Sequence, residues 1–495
     1  MEVSITPLTE TFKEASEVAE DVLLSLEPKT LWKYFNEIRK IPRCSKQEEK
    51  AAQYVYDTAK KLGYEAVMDH VKNVVVKVPA SPGYEDHPPV CLQAHVDMVC
   101  EKNSDVEHDF TKDPIQVRID GEYVKAVGTT LGADNGIGVA SLLALLEEEK
   151  SFLHPPLELL FTVDEETGMT GAFELKGDFL KARRLINVDS EEEGTIYIGC
   201  AGGGDTEIYL PYKKVSAFGK GLSVKVHGLK GGHSGVDIHL GRANAIKLLA
   251  RALYRLSQEQ KVGLSCIFGG NKRNAIPREA EALITVENSE KAMEVLKQCE
   301  EEFRIEYEGK EDTVLIEVKD AEVKEVMDVG EKVIWLLMAL PHGVLAMNAY
   351  IEGLVDTSTN LAVISTTMER VEIFQNSRSS IVSALEDTRR VVEASGRLAG
   401  AVVEQKGSYP SWRPNVKSPL LAIAKNSYKE MFGVEPKVMA IHAGLETAVI
   451  GSKFPGMDMI SVGPTVNFPH SPDERVHIGS VEKFYRYLKE LLQKL

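Results

Sequence analysis

GIGVASLLALLEEEKSFLHPPLELLFTVDEETG, residues 136–168, carries the reading that decides the fold. Its first half predicts a helix with a continuous apolar face. After Pro155 and Pro156, Leu157 to Val163 form an apolar run of strand length, continuous rather than alternating, as expected of a strand buried on both faces. Helix followed by buried strand implies a largely parallel α/β sheet. The run stops at three consecutive acids, Asp164, Glu165 and Glu166. Carboxylates beside a buried strand are costly unless paired or metal-bound. Open α/β sheets bind ligands at the carboxyl ends of their strands, so the place that looks costly is also the place where a site belongs.

The same alternation extends outward from this stretch. "LWKYFNEIRKIP" and "KQEEKAAQYVYDTAKKLG" predict helices, and "NVVVKVPA", "PPVCLQAHVD" and "RRLINVDS" predict strands. From about Leu222 the character changes to strand–helix–strand repetition. The tail from "GAVVEQKGSYPSW" returns to α/β character. The expected organisation is a helical extension over 1–25, a metal-binding catalytic domain over 26–205 and 392–495, and an inserted α+β lid domain over 206–391. The fold class is α/β, with a mixed, mostly parallel sheet flanked by helices. A chain of 495 residues exceeds one ordinary core, at roughly 150 residues per domain.

Composition narrows the function. There are 58 Lys and Arg against 75 Asp and Glu, a formal net charge of −17. Nucleic acid and anionic membranes both need a basic face, so neither is expected as a partner. No apolar run approaches the roughly 18 residues of a membrane span. The N-terminus lacks the basic start and apolar block of a signal peptide. The six cysteines are scattered without a CxxC, which predicts a reduced, cytoplasmic protein.

The candidate chemistry lies in five stretches: "LQAHVDMV" (His95, Asp97), "LGADNGIG" (Asp134), "VDEETG" (Glu165, Glu166), "INVDSEE" (Asp189) and "NFPHSPDE" (His470). Imidazole with carboxylate suits Zn²⁺, Mn²⁺ or Co²⁺, and the absence of thiolate ligands argues against soft-metal clusters. Each stretch alone is a weak signal. The glycines of "GTTLGADNGIG" lack the GK[ST] of a phosphate-binding loop.

Their order along the chain carries more weight. HxD, then GxDN, then a strand ending DEE, then one ending VDS, then a distant His: this set resembles the M20 metallopeptidases. Within them it is most similar to the aminoacyl-histidine dipeptidase branch, through "IPRCSKQE", "LQAHVDMVCEKN", "TLGADNGIG", "GGHSGVDIH", "NAIPRE", "GSYPSW" and "IHAGLE". The chain departs from the expected small residues at Asn467-Phe468. The resemblance implies two divalent ions, Zn²⁺ first and Mn²⁺ or Co²⁺ as substitutes. Asp134 would bridge them, His95 and Asp189 would complete one, and Glu166 and His470 the other. Glu165 would be the general base for a water activated by the two ions. Asp97 would fix the tautomer of His95, and the Asp134–Asn135 peptide would be cis.

In the lid the resemblance points to His233, Asn274, Arg378 and Gly444 as substrate-binding residues. Arg378 is the natural bidentate partner of a carboxylate, and His342 rivals His233 for steadying an oxyanion. His442 and Glu446 would line or support the site, with His239 and His477 structural. The implied activity is hydrolysis of dipeptides, Xaa-His (carnosine-like) substrates foremost. Alternatives are an M20-type amidohydrolase or aminopeptidase of other small peptides or N-acyl amino acids, and a metal-binding protein without catalysis. The partner is a small dipeptide, and the resemblance leaves room for a homodimer.

Overall fold

The computed structural model describes residues 22–495. The helical extension expected over 1–25 lies outside the described residues up to residue 21. The chain forms two compact units. The first takes in the described residues through Ile198, with Asn415–Met439 and Glu446–Leu495. The second is Gly199–Pro414 with Ala440–Leu445. Among the described residues no helix is long and apolar enough to cross a membrane.

An eight-stranded sheet organises the first unit, in the order Glu65–Met68, Val74–Val78, Leu157–Thr162, Val90–His95, Arg184–Asn187, Asp458–Ser461, Thr195–Cys200, Lys437–Ile441. Its four central strands run parallel and its flanks are antiparallel, which is the mixed α/β sheet expected. The strands Val90–His95 and Leu157–Thr162 are buried at every position, because helices cover both faces and leave no solvent side. Register then sets the site. His95 pairs with Thr162, and Gln93 with Asn187. Asp97, the 164–166 acids and Asp189 therefore leave the sheet at one edge.

Two local features differ from the plain strand-and-helix reading. Asp164 sits at φ 52, in the left-handed region, and ends the strand. Glu165–Gly168 is a helical turn. Both Glu165 and Glu166 leave from this turn, and a carboxylate oxygen of each lies within 4.8 Å of the other and of a His95 ring nitrogen. The second feature is the start of the helix Ala133–Glu147. Asp134 and Asn135 have non-helical backbone there, and the peptide between them is cis, as expected. A small four-stranded sheet, Val466–Asn467, Arg475–His477, Tyr123–Ala126 and Val117–Asp120, carries the turn that bears His470.

In the second unit a nine-stranded sheet is covered by helices Ala245–Glu259, Ser289–Glu306 and Gly330–Ala339, whose apolar residues share one core with it. The expected boundaries fall inside this unit. Gly202–Pro211 pairs with both Arg370–Ser379 and Val402–Tyr409, so the residues before 206 and those from 392 to 414 belong here. That pairing joins strands some 160 to 200 residues apart, which local pattern cannot reveal. "AIHAGL" joins the same unit, with Ala201 donating its N–H to the Ile441 carbonyl at 3.0 Å.

Cys44 and Cys100 form a disulfide with Cα atoms 5.6 Å apart, which corrects the expectation that all six cysteines are reduced. The two are 56 residues apart in sequence. They meet because residue 44 runs alongside Met98, with the Met98 N–H donating to Arg43 O at 3.0 Å. Cys91, Cys200, Cys266 and Cys299 are outside this disulfide.

Candidate metal centre

The carboxylate of Asp134 stands between two histidines. His95 Nε2 lies 3.1 Å from its Oδ1, and His470 Nε2 lies 3.0 Å from its Oδ2. His95 Nε2 is also 3.2 Å from Asp189 Oδ1, and His470 Nε2 is 2.9 Å from Glu166 Oε2. Three groups of donors have their ligand atoms within 4.8 Å of one another: His95–Glu165–Glu166, and an adjoining pair, His95–Asp134–Asp189 and Asp134–Glu166–His470. The adjoining pair shares Asp134. All five residues read from the sequence as ligands are therefore brought together. Two imidazoles and three carboxylates match the donor preference of zinc-like divalent ions. Glu166 Oε1 is buried without a hydrogen-bond partner, an atom that a cation would satisfy.

The electrostatics reflect crowded acids. Burial pushes Glu165 well above the usual carboxylate range, reinforced by Asp189, Glu446 and Glu166 and opposed by His95. Burial likewise lifts Asp189 to about 7. His470 is pushed up to about 11, first by its hydrogen bond with Asp134 and then by that with Glu166. Burial alone would lower His95, yet Asp189, Asp134 and Asp97 together raise it well above the ordinary histidine value.

Asp97 is fully buried and its two oxygens serve four donors. It meets His95 Nδ1 at 3.2 Å, Ser45 Oγ at 2.8 Å, and the backbone N–H groups of Glu165 at 3.0 Å and Glu166 at 3.2 Å. Asp164 is also buried, and it accepts the hydroxyls of Thr167 and Thr170. It is a structural acid at the strand end.

The sequence reading gave Glu446 a lining or supporting place and left several of its neighbours without a role. Glu446 is 1 % exposed; its Oε2 accepts Gln93 Nε2 at 2.6 Å and Thr162 Oγ1 at 2.7 Å, and its Oε1 is unpartnered. Burial pushes it up to about 8. Gln93 and Thr162 lie on the strands that end at His95 and at the acids. Asn187 Nδ2 extends this polar row, donating to Gln93 Oε1 at 2.6 Å. Glu191 faces Asp134, Asp189 and His470, and burial lifts it to about 8. Glu474 accepts four backbone N–H groups. A polar residue inside an otherwise apolar strand, such as Gln93 in "VCLQAH", is the signal that could have pointed to this row.

The residues read as substrate-binding all lie in the second unit. Arg378 is 7 % exposed, donates Nη1–H to the Tyr409 hydroxyl at 2.8 Å, and keeps Nε unpartnered. The positive charge of Arg378 reaches both His233 and His442, so these three residues and Tyr409 gather in one place. His233 Nδ1 accepts the N–H groups of Gly235 and Val236, each at 3.1 Å. His442 Nε2 is 2.7 Å from Ser358 Oγ. Asn274 contributes its backbone carbonyl to the Ser234 N–H at 2.8 Å. Gly444 makes room for the Tyr409 ring, whose Cε2 would stand 2.9 Å from an added Cβ. His342 lies beside Asn244 and Lys247, and burial lowers it to about 4. His477 caps the helix Ile478–Gln493 by accepting the Ser480 N–H at 3.0 Å, the structural role expected.

Residues 91–494 match the model of peptidase family M20/M25/M40. The chain belongs to that family. It is a peptidase, a hydrolase. It is 44 % identical over 482 residues to the cytosol non-specific dipeptidase of Escherichia coli, covering 96 % of this chain and 99 % of that one. Its structure is similar to that of an aminoacylhistidine dipeptidase from Vibrio alginolyticus, with a TM-score of 0.90 and 43 % identity over 96 % of this chain and 98 % of that one. An aminopeptidase of Bacillus cereus shares the fold at 16 % identity, with a TM-score of 0.56 over 95 % and 99 % of the two chains. M20 membership agrees with the order of motifs along the chain.

Proposed function

We propose that this protein is a two-metal dipeptidase, with Xaa-His dipeptides among its substrates and Glu165 as its general base. The observation that carries the reading is the placement of Asp134, with one oxygen on His95 and the other on His470. A single carboxylate at the junction of two donor sets suits a bridging ligand. His95 and Asp189 would hold one ion, and Glu166 and His470 the other. Two divalent cations, once bound, acidify water and polarise a scissile carbonyl.

The chain's own residues then divide the work. The carboxylate of Glu165 takes a proton from the attacking water and delivers it to the leaving amine nitrogen. Its raised proton affinity matches a group that must hold a proton near neutral pH. Asp97 accepts from His95 Nδ1 and so would leave the Nε2 lone pair for an ion held with Asp134 and Asp189. Arg378 is the group we assign to the carboxylate terminus of the substrate, and its unpartnered Nε supports that choice. The first unit is thus read as catalytic and the second as the lid.

Dipeptide substrates are supported by the names of the two relatives above 40 % identity, one called non-specific and one aminoacylhistidine dipeptidase. A cytoplasmic setting is supported by the first of those names. The test is a panel of Xaa-His and other dipeptides, tripeptides and N-acyl amino acids. It is run with protein stripped by a chelator and then reloaded with Zn²⁺, Mn²⁺ or Co²⁺. Dipeptide hydrolysis that disappears on stripping and returns on reloading is expected. Hydrolysis indifferent to the chelator overturns the mechanism, and equal rates on tripeptides overturn the substrate class.

A further inference from the structure

Glu474 lies four positions beyond His470 and is 2 % exposed. Its Oε2 accepts the N–H groups of Leu131 at 2.8 Å and Gly132 at 2.9 Å. Its Oε1 accepts those of Ala133 at 2.7 Å and Asp134 at 3.2 Å. Four consecutive amides converge on one carboxylate. This is a backbone nest, an arrangement that favours negative charge. It lies just ahead of the continuous helical run that begins after Asn135.

The opposite side of the turn is held as well. Arg43 is 1 % exposed, and its guanidinium donates to the Gly132 carbonyl and to the carbonyls of Val96 at 3.1 Å and Asp97 at 2.9 Å. Gly132 has φ 68, and an added Cβ would stand 2.5 Å from Arg43 Nη2. A side chain there would meet both strain and a clash. Arg43 thus grips the carbonyl side of the 131–134 turn, while Glu474 grips its amides.

We infer that Glu474 is a positioning residue that couples His470 to Asp134, so that the shared ligand and the histidine of one donor set are fixed as a unit. The inference rests on the reading of these two residues as metal ligands. The turn Phe468–Ser471 is itself open, with His470 at φ 60 and its side chain about half exposed. Docking of Glu474 onto the amides anchors the chain just beyond it.

The variant E474Q keeps the shape of the side chain but turns an amide toward two of the four N–H donors. Two measurements decide the matter: hydrogen exchange of the 131–134 amides without added metal, and Zn²⁺ affinity by competition with a chromophoric chelator. The expected result is slow exchange in the wild-type protein, faster exchange in E474Q with an unchanged far-UV circular dichroism spectrum, and Zn²⁺ affinity weaker by about 10–100-fold. Activity lost at limiting Zn²⁺ returns at high Zn²⁺, which a purely structural role would not produce. Should E474Q not fold, E474D, with both oxygens one methylene shorter, replaces it in the same measurements. Faster exchange with wild-type Zn²⁺ affinity overturns the inference alone. A wild-type protein that takes up no Zn²⁺ overturns the metal reading and this inference with it.

Discussion

The carboxylate of Asp97 accepts the backbone N–H of Glu165 at 3.0 Å. It also holds Glu166 N–H at 3.2 Å and His95 Nδ1 at 3.2 Å. One buried acid therefore orients a proposed ligand and the turn that carries the proposed base. Asp97→Asn would place an amide NH₂ against N–H donors and remove the negative charge that favours the needed tautomer. The expected loss in kcat/KM or in metal affinity is about 10–100-fold. An Asp97→Asn enzyme with wild-type kinetics and metal content would remove Asp97 from this role.

Glu165 and Glu166 should separate cleanly. Glu166 Oε2 lies 2.9 Å from His470 Nε2, whereas Glu165 belongs to neither donor set that contains Asp134. Glu165→Gln should keep the metal content and lose about 10²–10⁴-fold in kcat. Glu166→Gln should lose metal. Elemental analysis of the two purified variants gives the answer, and equal metal loss in both would contradict the division.

Stability should depend on pH through Glu446. Burial raises its carboxyl from the ordinary 4.5 to about 8. A carboxyl whose folded value is raised stabilises most below its unfolded value, and that stability is lost as pH rises through the folded value. Between about pH 5 and pH 8 the wild-type protein without added metal should therefore lose stability, by at most about 1.4 kcal/mol per pH unit from this group. Glu446→Gln should flatten that slope. Thermal melts of both proteins across the range test it, and parallel slopes would show that Glu446 does not titrate there.

The Cys44–Cys100 bridge closes a loop of 56 residues. Unfolded oxidised protein should therefore label at Cys91, Cys200, Cys266 and Cys299, but not at Cys44 or Cys100. Reduction should destabilise the fold by up to about 4 kcal/mol, read as a lower melting temperature in dithiothreitol. Labelling of all six thiols in protein purified without reductant would sink this expectation.

The sequence by itself determined the main elements of the first unit and five residues that the fold brings together. The apolar run Leu157–Val163 has the length and continuity of a buried strand, and the acids at its end are costly there unless paired or metal-bound. The order of His95, Asp134, Glu166, Asp189 and His470 named both the family and the residues that come together. These signals are local: periodicity, abrupt changes of polarity and short motifs survive in a linear reading. Tertiary structure decided what depends on distant segments meeting. The pairing of Gly202–Pro211 with Val402–Tyr409 moved the unit boundaries. The disulfide joined Cys44 to Cys100, and the row Glu446–Gln93–Asn187 crossed from strand to strand. Glu474 met the amides of 131–134 across more than 300 residues. Such contacts are chosen by register and burial, which no single stretch contains.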